Sequence, residues 1–540
     1  MCAERSLNHG CDLLIVKALS QGFLDGGARF VANYPGWHSH EILDEMVFEA
    51  ESMHAPLVNV RMPLNEKVAY EMAYGASLAG LRSVVTFKNY GLNVAADPFF
   101  NSFLTGVNAG IVVVVTDDMD VMASQGRQDS RYFRSFHEGL WLEPVSAMQA
   151  YAMARDALAA SEQLDQPVVI RLTNVHFEWK HEIPLWERLR GLPLASCGEY
   201  KGMVTAAIDP RKFVVHPRTW RAQYEVMPSK RARVQKWVDS WPWVTETLNE
   251  TFIPDFPYYS HAPTDGFSSP SDHVNLTSPS ISNPVGNPYT LRLVFGGSRG
   301  CHVQASDETI LRLGTYPPPT QLLSYAAQYN RVVVEEMGER YACALVEAGL
   351  IRRVASPRVV AHSSELPDHS DLVIVWAGLS KLYSALAALK PRHVVADLGQ
   401  STQESTDTVT SCLCLGSAVS VACGIALACT DYPYCVCGDA ALLHAGGRSL
   451  LDEVAASGAR FCIVVVDNGG SASTGGQAHH TDLRLHLPAS TLTLEYSATT
   501  EAAFRDILEA GRSHQRLLII RLVAPSSTEG RSPAFSPTAG

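Results

Sequence analysis

The stretch YPYCVCGDAALLHAGGRSLLDEVAASGARFCIVVVDNGGSASTGGQ, residues 432–477, decides how the rest of this chain is read. Tyr432 to Cys437 and Phe461 to Val466 are short apolar runs bounded by Gly and Asp, which predicts two buried strands. Leu450, Leu451, Val454 and Ala455 fall between them at helical spacing, and Gly458 supplies a helix stop. Strands joined through a helix in this way are parallel neighbours. Gly438-Asp439 leaves the first strand and Asp467-Asn468-Gly469-Gly470 leaves the second. Both polar ends therefore emerge at the carboxyl edge of one sheet, where α/β proteins bind ligands.

Asp439 and Asn468 stand 29 positions apart (468 minus 439). Each offers a hard oxygen, and Gly470 adds a backbone carbonyl that no side chain obstructs. With two phosphate oxygens and a water, these three groups would complete an octahedron around Mg²⁺. The pattern Gly438-Asp439-Ala440 followed by Asp467-Asn468 resembles the thiamine diphosphate signature, Gly-Asp-Gly and then Asn-Asn at a comparable spacing. Over this stretch alone, a plain α/β unit with Asp and Asn at its turns would look the same.

The length of 540 residues suggests several domains. An excess of 55 acidic over 43 basic residues, a formal charge of −12, argues against a nucleic-acid partner. No run of eighteen apolar residues suggests a membrane span. Met1 to Gly10 lacks the apolar core of a signal peptide, which points to the cytoplasm. The 12 cysteines are scattered, with no Cys-x-x-Cys, so they read as small buried hydrophobes of a reduced protein and not as a metal or cluster site.

Residues 1–180 alternate apolar runs with helical patterns, at Arg29–Tyr34, Arg82–Phe87, Ala109–Thr116 and Pro167–Leu172, which predicts a first α/β layer with a mostly parallel sheet. A helix starts at Asn65-Glu66, with Asn65 as its cap and Val68, Met72 and Ala76 as a buried stripe. Its small residues leave room for another element to approach. Glu66 by itself suits the first turn of any helix. Residues 181–289 read as a connector containing a Pro/Ser-rich linker. Residues 290–355 read as a small α/β domain, with strands near Leu291–Phe295 and Arg331–Val334. Residues 356–524 form the last α/β domain, whose sheet begins with Leu372–Trp376 and His393–Asp397. Residues 525–540 read as a disordered tail.

The chain resembles the α subunit of indolepyruvate ferredoxin oxidoreductase, a thiamine diphosphate enzyme. The resemblance runs in register through Tyr34-Pro35-Gly36, Asn65-Glu66-Lys67-Val68-Ala69, Gly75 to Gly80, Gly91 to Pro98, Asp397-Leu398-Gly399, Cys412 to Gly416, Gly438-Asp439, His444 and Thr474 to Gln477. It implies two doubly wound domains, pyrimidine-binding at 1–180 and diphosphate-binding at 356–524, plus the smaller connecting α/β domain. It implies thiamine diphosphate and Mg²⁺ as cofactors and Glu66 as the activating carboxylate of the pyrimidine. The implied cofactor contacts are Pro35, Gly36, Glu66, Asn89, Asn93, Gly399, Gly416, Ser417, Gly438, Asp439, Ala440, Asn468, Gly470 and Ser471, with Asp439, Asn468 and Gly470 on the metal. It also implies a homodimer.

The family's cluster-bearing ferredoxin-like domain and its Cys-Pro-Gly-Cys-Pro-His-Arg segment have no counterpart in this sequence. Trp37-His38-Ser39-His40 replaces the usual Thr-Pro-Ser of the first loop, and Asn89 stands where the family usually has His. The resulting expectation is non-oxidative chemistry on a 2-oxo acid such as indole-3-pyruvate: decarboxylation, then carboligation with a carbonyl or an acyl-carrier or CoA thioester. His38, His40 and His444 are the candidates for proton transfer. Alternatives are a simple decarboxylase releasing the aldehyde, an oxidoreductase subunit using the clusters of a separate partner, and an inactive scaffold.

Overall fold

In a computed structural model of the chain, residues 13–179, 208–216, 219–241, 379–399, 408–471 and 481–523 are described throughout; residues 287–346 are described at the strands named below and a few single positions, and 477–478 as a short strand. The expected strand at 372–376, most of the linker, the tail at 525–540 and Met1 to Gly10 lie outside the described residues.

The first layer contains β1 (Phe30–Asn33), β2 (Val58–Arg61), β3 (Ser83–Lys88), β4 (Ile111–Asp117), β5 (Trp141–Leu142) and β6 (Val168–Thr173), in the order β2-β1-β3-β4-β6-β5 and all parallel. The run IVVVVTD is buried along its whole length, as a central parallel strand covered on both faces requires. Alternate residues sort to two cores. Val31, Val84, Val112, Val114 and Ile170 pack with α1 (Leu14–Asp25) and α2 (His40–Ser52). Ala32, Val85, Val113 and Val115 pack with α3 (Glu66–Leu78). α4 (Asn89–Val94) leaves β3 directly. α5 (Ala147–Leu164) and α6 (Met227–Ser240) complete the first core through Leu158, Val234 and Trp237.

Next come β7 (Asn287–Phe295), β8 (Glu308–Leu313), the two-residue β9 (Thr315–Tyr316) and β10 (Tyr329–Glu336). β10-β7-β8 form a parallel sheet, and β9 pairs antiparallel with β5, becoming a seventh strand of the first sheet. The last sheet is β11-β12-β13-β17-β16, all parallel: β11 (Val394–Ala396), β12 (Tyr434–Gly438), β13 (Cys462–Asp467), β16 (Leu492–Glu495) and β17 (Leu518–Val523). β14 (Gly470–Ser471) and β15 (Gln477–Ala478) pair antiparallel beside it. The parallel pairing expected of β12 and β13 is present, with Gly438 opposite Val466.

α3 packs across α7 (Ala418–Ala428), and small residues allow it. A Cβ on Gly75 would stand 2.1 Å from the Val421 carbonyl oxygen, and one on Gly424 would stand 2.0 Å from that of Met72. The expected single buried stripe on α3 is therefore an underestimate. Every residue from Val68 to Leu78 is buried, because α7 covers the side that the first sheet does not. Gly75→Ala and Gly424→Ala should each lower stability by at least about 1–3 kcal/mol, the usual cost of overpacking, since the obstacle is backbone. Urea unfolding checks this; unchanged midpoints would contradict the crossing.

Candidate active site

The carboxyl ends of β12 and β13 set Asp439 beside the Asn468 loop. Asp439 opens α8 (Asp439–His444) and is 1% exposed. Its Oδ1 accepts the Ala440 N–H at 2.7 Å and its Oδ2 the Gly469 N–H at 2.9 Å. Asn468 Oδ1 accepts the Gly470 N–H at 3.3 Å. A carboxylate oxygen accepts more than one bond, so an oxygen that holds a backbone N–H can also take a metal. A Cβ on Gly438 or Gly469 would meet nothing within 4 Å, so the edge is open in front of these donors.

A second loop flanks them. Asp397, at the end of β11, accepts the N–H groups of Leu398 at 3.0 Å, Gly416 at 2.7 Å and Ala418 at 3.3 Å. One carboxylate thereby holds the 415–417 turn and the start of α7, and burial pushes it up to about 6. Gly416 has φ +79°, and a Cβ there would lie 2.9 Å from His444 Nδ1. α8 thus runs from Asp439 to His444, about 7.5 Å at ~1.5 Å per residue, linking the metal-type donors to the Gly416 turn.

The start of α3, which carries Glu66, reaches the same turn through Lys67. Asn65 caps the helix as expected, its Oδ1 accepting the Val68 N–H at 3.0 Å. Glu66 is half-buried against Gly91 of α4, where a Cβ would stand 2.5 Å from its Cγ, and burial pushes its carboxyl up. The next residue, Lys67, donates to the Leu415 carbonyl at 3.1 Å. Leu64 fills the space over Gly446, where a Cβ would stand 2.3 Å from its Cδ2. The start of α3 is therefore seated on the 414–417 and 444–446 turns of its own chain.

Beneath lies a group that sequence reasoning missed. Lys67 pairs with the fully buried Glu71, and the Cys414 thiol donates to Glu71 Oε1 at 3.5 Å. Their i,i+4 spacing was the available signal. Burial pushes Glu71 up from 4.5 to about 7, against the pull of Lys67. Between those values the folded chain holds a proton that the unfolded chain has released, so stability falls as pH rises through that window. Glu71→Gln should flatten this slope, which is at most on the order of 1 kcal/mol per pH unit. Urea midpoints from pH 5 to 8 measure it, and parallel profiles for both proteins would contradict it.

Other expected contacts are committed elsewhere. Ser417 is fully buried; its hydroxyl donates to the Cys414 carbonyl at 2.7 Å and accepts that residue's N–H, so it locks the turn. Asn89 donates to the Gln128 carbonyl, and Asn93 exchanges two bonds with the Gln128 side chain. His38 stacks on Phe177 at 4.3 Å and pairs with Glu41 at 3.0 Å, while His40 Nδ1 lies 3.1 Å from the Gly36 carbonyl oxygen. The His40 ring thus braces the Pro35-Gly36 loop, whose Gly36 lies tight on Lys88. Gly399 has φ +118°, and Ser471 lies in β14 beside Gly470.

Residues 393–510, which hold β11, β12, β13 and β16 of the last sheet and this edge, match the family described as "Thiamine pyrophosphate enzyme, C-terminal TPP binding domain". The fold agrees with a solved Rhodococcus jostii RHA1 thiamine diphosphate-dependent 4-hydroxybenzoylformate decarboxylase, at TM-score 0.50 and 14% identity over 95% of this chain and 99% of that one. These features define a chain with a thiamine diphosphate-binding domain.

Among curated relatives, the chain is similar to indolepyruvate oxidoreductase subunit IorA. Identity to the Pyrococcus horikoshii protein is 32% over 271 residues, 50% of this chain and 38% of that one. Identity to the Archaeoglobus fulgidus protein is 26% over 501 residues, 86% of this chain and 76% of that one. The alignments with the two Pyrococcus relatives thus span less than half of their length, 38% and 45%. The chain is an IorA-like thiamine diphosphate protein. No helix among the described residues is long and apolar enough to cross a membrane.

Proposed function

We propose that the chain is the thiamine diphosphate-binding, decarboxylating component of a 2-oxo acid oxidoreductase, acting on an aryl pyruvate such as indolepyruvate. The observation that carries the reading is that the start of α3, which carries Glu66, is seated through Lys67 on Leu415 and through Leu64 on Gly446, next to the helix that Asp439 opens in the same chain. The indolepyruvate oxidoreductase relatives support the oxidative outcome over the carboligation expected from the sequence.

The donor set fits the cofactor. Asp439, the Asn468 amide oxygen and the Gly470 carbonyl are hard oxygens suited to Mg²⁺, and the open ground at Gly438 and Gly469 leaves room for a diphosphate. When bound, thiamine diphosphate supplies a carbon nucleophile and electron sink. Asp439 and Asn468 would hold the cation, which would supply the charge that neutralises the diphosphate. Glu66, with its raised pKa, holds a proton at the aminopyrimidine ring. His444, exposed at the end of α8, stands where a proton can be delivered beside Gly416. Electrons leave to a partner bearing iron–sulfur clusters; six of the seven described cysteines are buried core thiols.

The test is protein loaded with thiamine diphosphate and Mg²⁺, given indolepyruvate and coenzyme A without oxygen. The expected result is CO₂ release, with viologen dye reduced only when a cluster-bearing partner is added. A hydroxyketone formed with an added aldehyde, and no dye reduction with the partner present, would replace this reading by carboligation. Stoichiometric aldehyde alone would replace it by simple decarboxylation.

A further inference from the structure

On the edge of the last sheet opposite the cofactor loops, three side chains of different chemistry converge. His393 immediately precedes β11, and Cys429 and Asp431 lie on the connection from α7 to β12. One ligand atom from each, an imidazole nitrogen, the thiol sulfur and a carboxylate oxygen, all lie within 4.8 Å of one another. His393 is 1% exposed, and its Nε2 has no well-formed hydrogen bond: what faces it is an Asp431 oxygen at 3.5 Å. A buried imidazole nitrogen without a hydrogen-bond partner is costly unless something satisfies it.

We infer that His393, Cys429 and Asp431 form a site for a divalent transition metal, Zn²⁺ by its chemistry, separate from the thiamine diphosphate edge. Nitrogen, sulfur and oxygen donors together select a borderline-soft ion and not Mg²⁺. Zn²⁺ bonds of about 2.0–2.3 Å at tetrahedral angles place ligand atoms roughly 3.3–3.6 Å apart. The His393–Asp431 pair already has that spacing at 3.5 Å. The thiol donates to the Ile425 carbonyl at 3.3 Å, and its sulfur already lies within 4.8 Å of the other two ligand atoms. A water would complete four-coordination, since the carboxylate and thiol are both partly exposed. One competitor is present: Arg392 Nη1 lies 3.2 Å from the same Asp431 oxygen. Its side chain is one-third exposed and can leave to solvent. The bound metal would tie the start of β11 to the entry of β12, fixing the two strands whose far ends carry Asp397 and Asp439.

The probe is Co²⁺, titrated into full-length protein whose oxygen site is saturated with thiamine diphosphate and Mg²⁺. One Co²⁺ per chain should give a near-ultraviolet thiolate-to-cobalt band with intense tetrahedral visible bands, and Zn²⁺ should displace it. Cys429→Ser should abolish the thiolate band. His393→Ala should weaken binding by at least about 100-fold, more than loss of an outer-sphere partner costs, and Arg392→Gln should tighten it. Circular dichroism of the metal-free variants separates loss of metal from misfolding, and Asp431→Asn supplies an independent ligand change if Cys429→Ser does not fold. A wild-type protein with no thiolate band, or a band that survives both Cys429→Ser and Asp431→Asn, would overturn the site.

Discussion

Asp439→Ala is expected to abolish Mg²⁺-dependent binding of thiamine diphosphate, a loss of at least about 100-fold in affinity by analogy with the 10–100-fold cost of disturbing even an outer-sphere metal partner. The size follows from its position. Asp439 is the one carboxylate among the three expected donors and is 1% exposed, with both oxygens oriented by backbone N–H groups. Removing it would leave the cation that neutralises the diphosphate with an amide and a carbonyl alone, and no anionic protein ligand. It also frees the Gly469 N–H, so the Asn468 loop loses its tie to α8. Calorimetry with and without Mg²⁺ reads the effect. Asp439→Asn separates the two causes: it keeps an oxygen for Gly469 but loses the charge, so the loop should hold while cofactor affinity falls. Wild-type affinity in both variants would remove Asp439 from the site.

Glu66→Gln should leave cofactor affinity nearly unchanged and slow exchange of the thiazolium C2 proton by roughly 10²–10⁴-fold, the range of a general acid–base contribution. Glutamine keeps the shape that fits against Gly91, so α3 and its Asn65 cap should stand. What it loses is a carboxyl whose pKa burial has raised, a group suited to holding a proton at the aminopyrimidine ring. Exchange followed by NMR is the direct readout. Glu66→Asp is the control for reach: it keeps the acid and shortens the arm, so it should fall between glutamine and wild type. Unchanged exchange in Glu66→Gln would place the activating group elsewhere.

The parts of this site that repeat along the chain were legible in the sequence. Apolar runs ending in Gly438-Asp439 and Asp467-Asn468 announced parallel strands with polar carboxyl ends, and the pairing of β12 with β13 follows. Asn65 announced the start of α3. Hydrogen-bond commitments were not legible, because they depend on partners distant in sequence. Ser417 has the composition of a phosphate contact, but the Cys414 backbone engages its hydroxyl. Asn93 is paired by Gln128, 35 residues away. Asp397 marked a matching motif, yet its function in holding the Gly416 turn appears only when β11 and α7 meet. The short β5 and β9 carry too few residues to show a period, and their pairing joins positions far apart in the chain.

The first buried layer holds a further set of charges that no periodicity reveals. Arg171 pairs with Asp117 at 2.6 Å and Glu143 at 2.8 Å, and Arg131 lies beside Asp129. All but Asp129 are fully buried, under the carboxyl edge of the first sheet. Removing one partner would leave an uncompensated buried charge, so this network holds the loops of that edge in place.

The central claim is that one chain holds thiamine diphosphate between Glu66 and Asp439. A structure determined with thiamine diphosphate and Mg²⁺ tests it most directly. The account predicts the cation on Asp439, Asn468 and the Gly470 carbonyl, the diphosphate over Gly438, and the aminopyrimidine ring against Glu66 of that same chain. A cofactor bound away from Asp439, or an aminopyrimidine held by the Glu66 of a second subunit, would contradict it.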